Sequence, residues 1–125
     1  MSPRVPSLAI ALAALTACDE PYLVVPGVGI GYPEAGREAF NQYACTSCHV
    51  IPGVVGADIH VGPPLSGIAE RRYLAGVLPN TPANLLHWIR QPQTIAPQSA
   101  MPDLGVGEQP ALDMAAYLYR LDDSD

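Results

Sequence analysis

Two cysteines separated by two residues, with a histidine directly after the second, constrain this 125-residue chain more than any other feature: Cys45-Thr46-Ser47-Cys48-His49. The spacing has a chemical use. Two thiols on one turn can each add to a vinyl group of a haem, and the adjoining imidazole then faces the iron as its proximal ligand. The same CxxC spacing also serves redox dithiols and half of a tetrahedral zinc site. The zinc reading needs a second ligand pair, and the remaining cysteine, Cys18, falls in a leader segment. The dithiol reading needs a thioredoxin-like βαβ context, and no strand-rich pattern surrounds the motif. The pentapeptide therefore reads first as a haem attachment site, with a haem-free dithiol or zinc protein as the alternative.

The leader agrees with that order. Arg4 and the apolar run Leu8–Leu15 make residues 1–17 an export signal, too short to span a bilayer as a stable anchor. Leu15-Thr16-Ala17-Cys18 resembles the bacterial lipobox, which makes Cys18 the lipidated first residue of the mature protein. The alternative is an ordinary secretory signal in which Cys18 is incidental. Either way the chain is expected outside the cytoplasm, in the periplasm or at the outer face of the cytoplasmic membrane. Residues 18–32 then read as the lipidated cysteine and an extended tether, rich in Gly and Pro. Leu23-Val24-Val25 is apolar for a solvated linker, so packing on the domain or on a partner stays open. Residues 33–125 are the domain.

Composition narrows the function. The formal charge is −6, and beyond Arg4 five arginines face twelve acids with no lysine anywhere. Nucleic-acid binding is disfavoured, as is docking through a ring of lysines. The 49% hydrophobic content is inflated by the leader. Roughly 110 residues remain to bury a core, which is few. A haem supplies the missing apolar body, so the apo-chain is expected to be largely unfolded.

Three helices are legible around the motif. Pro33-Glu34 opens the first, with Ala39, Phe40 and Tyr43 on one face, and it leads into Cys45. Gly36 inside it costs about 1 kcal/mol against alanine and so suggests close approach by another helix. Thr81 caps the second and Pro82 begins it; Leu85, Leu86 and Ile89 form its apolar stripe and Pro92 ends it. Gln109-Pro110 starts the last, running to about Leu121, before the acidic tail Asp122-Asp123-Ser124-Asp125. Residues 95–102 show no helical period.

From Pro33 to Leu121 the order of CxxCH, Gly62-Pro63, a Pro92–Met101 loop and a final helix resembles the class I monohaem cytochromes c. The stretch Gly76–Leu85, with Trp88-Ile89 and Met101-Pro102, is most similar to the cytochrome c domains fused to subunit II of caa3-type oxidases. That resemblance implies an all-α fold of three to five helices wrapped around one covalently bound haem c. It implies that the Pro63 carbonyl accepts from His49, that Arg71 pairs with a haem propionate, with Tyr73 assisting, and that Trp88 lies against the haem. It gives Met101 the distal iron position, ahead of Met114, His60 and His87. A solvated Arg71 and a core Trp88 are the plainer readings of those two residues. The helix crossing is expected at Gly36 and Phe40 against Tyr117.

With His49 and Met101 both on the iron, the family's chemistry is one-electron transfer rather than catalysis. The implied protein is a lipid-anchored respiratory cytochrome. Its expected donor is a quinol-oxidising complex or a dehydrogenase, and its acceptor a terminal oxidase. Two alternatives share the haem: a fixed subunit of a dehydrogenase or oxidase complex, and a gas-sensing or enzymatic site whose Met101 dissociates.

Overall fold

Proline opens three of the four α-helices among the described residues, at the position where its missing N–H leaves no hydrogen bond unmade. The computed structural model describes residues 19–122; Cys18, the expected lipidation site, lies outside the described residues. Two short strands, β1 (Leu23–Val25) and β2 (Gly29–Gly31), precede α1 (Pro33–Gln42). A 3-10 turn at Cys45–Ser47 and another at Ile68–Glu70 lead to β3 (Tyr73–Leu74) and β4 (Leu78–Pro79). Then come α2 (Pro82–Arg90), α3 (Pro92–Ile95) and α4 (Glu108–Asp122). The all-α expectation holds, with two antiparallel hairpins added to it.

The last helix is the centre. Every residue from Ala111 to Leu118 is buried, because α1, α2 and the β1–β2 hairpin all pack on it. Two apolar stripes on one helix are what such a position requires. Its contact with α1 is made by Gly36, where a Cβ would meet the Asp113 carbonyl oxygen at 2.0 Å. Beside that contact Phe40 and Tyr117 meet edge to face with centroids 5.9 Å apart. The expected glycine–aromatic crossing is therefore present.

Residues 19–32 do not form an extended tether throughout. Val24 faces Ile30 across the β1–β2 pair, Val25 is fully buried, and Asp113 accepts from the Tyr32 N–H at 2.8 Å. Gln109 donates to both the Ile30 carbonyl and Asp113. A buried carboxylate with two donors thus ties the hairpin to α4. The first helix also departs from expectation at its end. It stops at Gln42, and Ala44 in the left-handed region (φ 56°) turns the chain before Cys45. The motif is therefore a separate 3-10 turn rather than the continuation of a helix.

Candidate functional site

That turn gathers the motif. The N–H groups of Cys48 and His49 both donate to the Cys45 carbonyl, at 3.1 and 3.0 Å, so both thiols and the imidazole sit on one turn. Two further bonds bring the next loop alongside: Gly62 N–H to the Cys48 carbonyl at 2.8 Å and Leu65 N–H to the Val50 carbonyl at 2.9 Å. His49 Nδ1 then lies 2.7 Å from the Pro63 carbonyl oxygen. A carbonyl only accepts, so Nδ1 carries the proton and Nε2 keeps its lone pair for a ligand bond. Gly62 makes this approach feasible, since a Cβ there would stand 2.3 Å from His49 Cε1.

These residues line one wall of a cavity of about 920 Å³ whose other walls include Trp88, Leu65 and Ile68. Met101 also lines it, on a loop fixed by Gln93, whose side-chain amide donates to the Ser99 carbonyl at 2.8 Å and to the Met101 carbonyl at 2.7 Å. Ser99 Oγ accepts from the Met101 N–H at 3.1 Å. Arg71 reaches the cavity wall and donates to the Pro64 carbonyl and, at 3.2 Å, to that of Ser66. Tyr73 lines the cavity as well. Asn80 Nδ2 holds the turn that carries Arg71, donating to the carbonyls of Ile68 and Arg71.

His60 and His87 do not line the cavity. His60 is exposed and pairs with Asp58 at 3.2 Å, and His87 Nε2 lies 2.9 Å from Thr94 Oγ1. Met114 is fully buried among the packing residues of α4 and lines a small separate pocket that also touches His49 and Met101. Burial raises the Cys45 thiol above its ordinary value, whereas redox dithiols work by a lowered one. Among the described residues no three His, Cys, Asp or Glu side chains are gathered to hold a metal ion, so nothing in the geometry favours the zinc reading.

Two thiols, an imidazole with its Nε2 available, a thioether and a deep apolar cavity are a donor set and a volume that fit a haem held by thioether bonds. Gln93, Asn80 and Ser99 complete the site with Gly62, and of these only Gly62, through the Gly62-Pro63 segment, figured in the sequence reading. Their hydrogen bonds run to backbone groups, which leave no periodic or motif signal in a sequence.

The fold and the site thus define a small helical haem protein. The cytochrome c family model matches residues 33–122, and the chain belongs to that family. Cytochrome c oxidase subunit 2 of Alkalihalophilus pseudofirmus is 34% identical over 87 residues, which are 69% of this chain and 25% of that one. The chain thus spans about a quarter of the length of the relative it matches. The cytochrome c2 of Rhodobacter sphaeroides shares the fold with a TM-score of 0.53 at 23% identity, covering 72% of this chain and 95% of that one. The cytochrome c2 of Paracoccus denitrificans does so with a TM-score of 0.54 at 19% identity, covering 76% and 99%. As a cytochrome c the protein carries a covalently bound c-type haem, and its chemistry is haem-based electron transfer. No helix among the described residues is long and apolar enough to cross a membrane.

Proposed function

We propose that the protein is a lipid-anchored respiratory electron carrier with His49 and Met101 as its two iron ligands. The observation that carries this reading is the pair of fixed ligand supports. Pro63 holds the His49 ring through Nδ1, and Gln93 holds the Met101 backbone, both at the same cavity. When bound, the haem supplies a one-electron Fe(III)/Fe(II) couple. The chain's residues do the rest. Cys45 and Cys48 fix the group covalently, and Pro63 sets the imidazole plane and basicity. Arg71 offers a guanidinium at the cavity wall for a haem carboxylate, whose partly buried charge needs a partner, with Tyr73 beside it, while Trp88 excludes water. With His49 and Met101 both holding the iron, the haem would supply electron transfer rather than bind oxygen or a substrate.

The respiratory setting draws on the relative named as an oxidase subunit. The expected donor is a quinol-oxidising complex or a dehydrogenase and the acceptor a terminal oxidase. Lipid on Cys18 would confine the carrier near both and raise its effective concentration there. That relative also favours a second reading, a fixed haem subunit of a larger complex; stable co-purification with the complex in mild detergent separates it from a free carrier.

The test is an optical spectrum of protein matured in a host that attaches c-type haem. The oxidised protein should show the weak far-red band of thioether-to-iron ligation, and Met101→Ala should abolish it while leaving the haem attached. A haem spectrum without that band in the unsubstituted protein would overturn the Met101 assignment. Fast carbon monoxide binding by the reduced protein would move the function toward a ligand-binding site.

A further inference from the structure

The β1–β2 hairpin carries an apolar face that no other described residue covers. Side chains alternate along each strand, so Tyr22 and Val24 share a face with Ile30 and Tyr32. They are 61%, 62%, 48% and 39% exposed respectively, and Val24 sits directly opposite Ile30. The other face is committed to α4. Val25 is fully buried, and a Cβ on Gly31 would stand 2.4 Å from the Leu112 carbonyl oxygen and 2.7 Å from Ala116 Cβ. With Tyr32 bonded to Asp113 as well, the hairpin cannot turn its exposed side inward. None of the four residues lines the haem cavity, so haem binding leaves them uncovered.

Where the face lies in the chain says what covers it. Tyr22 is four residues after Cys18, and four extended residues span at most about 14 Å. If Cys18 carries a lipid, the face is held within that distance of the bilayer. Two tyrosines flanking two β-branched aliphatics is the composition that settles at a lipid headgroup boundary. A single lipid group also gives only marginal attachment, and a second apolar contact adds to it. Residues 19–32 contain no Lys or Arg, so the contact is apolar and needs no anionic lipid.

We propose that Tyr22, Val24, Ile30 and Tyr32 form a membrane-resting face that seats the domain on the bilayer in a fixed orientation. This rests on the reading of Cys18 as lipidated. The anchor would then end in a rigid seat rather than a free leash, and the haem would present one defined side to its partners.

The experiment uses the lipidated holoprotein in phosphatidylcholine vesicles, with hydroxyl-radical footprinting of Tyr22 and Tyr32 read by mass spectrometry against Cys18→Ser protein in solution. Oxidation of both tyrosines should fall several-fold on vesicles. Val24→Glu/Ile30→Lys, which keeps a favourable cross-strand pair, should restore it while the protein stays vesicle-bound. Unchanged oxidation with the lipid verified by mass overturns the seat and leaves the anchor standing. No lipid mass on Cys18 removes the anchor and the seat together. Protection found in native membranes but not in protein-free vesicles assigns the face to a protein partner and overturns the lipid contact.

Discussion

Gly62 lies so close to the motif histidine that a Cβ built there would sit 2.3 Å from Cε1 and 2.7 Å from Nδ1 of His49. An alanine cannot be accommodated unless the ring or the loop moves, and either displaces the imidazole from the Pro63 carbonyl. Gly62→Ala should therefore keep the haem, which the two thiols hold, while shifting the midpoint potential. Strain of this kind costs about 1–3 kcal/mol, so the thermal midpoint should fall too. A redox titration and a melt check both, and an unchanged potential would show that the loop yields without moving the ring. At this scale the sequence was partly legible. Cys45, Cys48 and His49 announce themselves because attachment chemistry dictates their spacing. The contact of the Pro63 carbonyl with His49 was expected only through a resemblance, and the place of Met101 at the cavity through that resemblance and its non-helical loop. Gln93 was not legible at all, because its partners are main-chain oxygens six and eight residues away.

The crossing of α1 and α4 sets two effects against each other at Gly36. Helix propensity favours alanine there by about 1 kcal/mol, but the added Cβ would meet main chain, the Asp113 carbonyl oxygen at 2.0 Å. Main chain in a buried helix cannot step aside, so overpacking at about 1–3 kcal/mol wins. Gly36→Ala should lower the thermal midpoint, by roughly 4–8 °C per kcal/mol for a domain this size; a rise would mean that propensity governs the site. The same crossing carries a charged tie. Glu34 accepts from Arg120 at 2.5 Å and from Arg37 at 3.0 Å. The Arg120 hydrogen bond first, then that of Arg37, holds the Glu34 carboxyl below its ordinary value. A lowered folded value means the tie stabilises above the unfolded carboxylate range and is lost as pH falls through Glu34's folded value. The group is exposed, so the effect is small and screened by salt. Glu34→Gln should lower the melting midpoint slightly near neutral pH, with the gap to the parent protein closing in acid and in high salt. A gap that persists in acid would assign the loss to packing instead. Helix starts were legible because proline at the first position has a local cause. The β1–β2 hairpin was not, because its glycines and Pro26 resemble coil and the surface that orders it belongs to α4, some eighty residues on.

For the molecule as a whole, the cavity at the motif is the feature that bears on stability. Its volume of about 920 Å³ is lined by the motif turn, Trp88 of α2 and the 96–104 loop, and a separate, much smaller pocket behind it is lined by Phe40, Met114 and Leu118. Apolar space left unfilled inside a fold is destabilising, and ordinary domains are stable by only about 5–15 kcal/mol. The haem is thus a core component, and the two thioether bonds retain it when the protein breathes. This much was legible from chain length, since so few residues bury too little surface alone. The shape of the cavity was not, because the motif turn, the loop after it, Trp88 and the 96–104 loop that line it meet only across long range. It follows that Cys45→Ala/Cys48→Ala protein, made without haem attachment and measured free of added haem, should show far less helical circular dichroism than the holoprotein and no cooperative melt. Native-like helicity with a sharp transition in that variant would mean that α1, α2 and α4 close on one another unaided. The haem would then be a guest of the fold rather than part of its core.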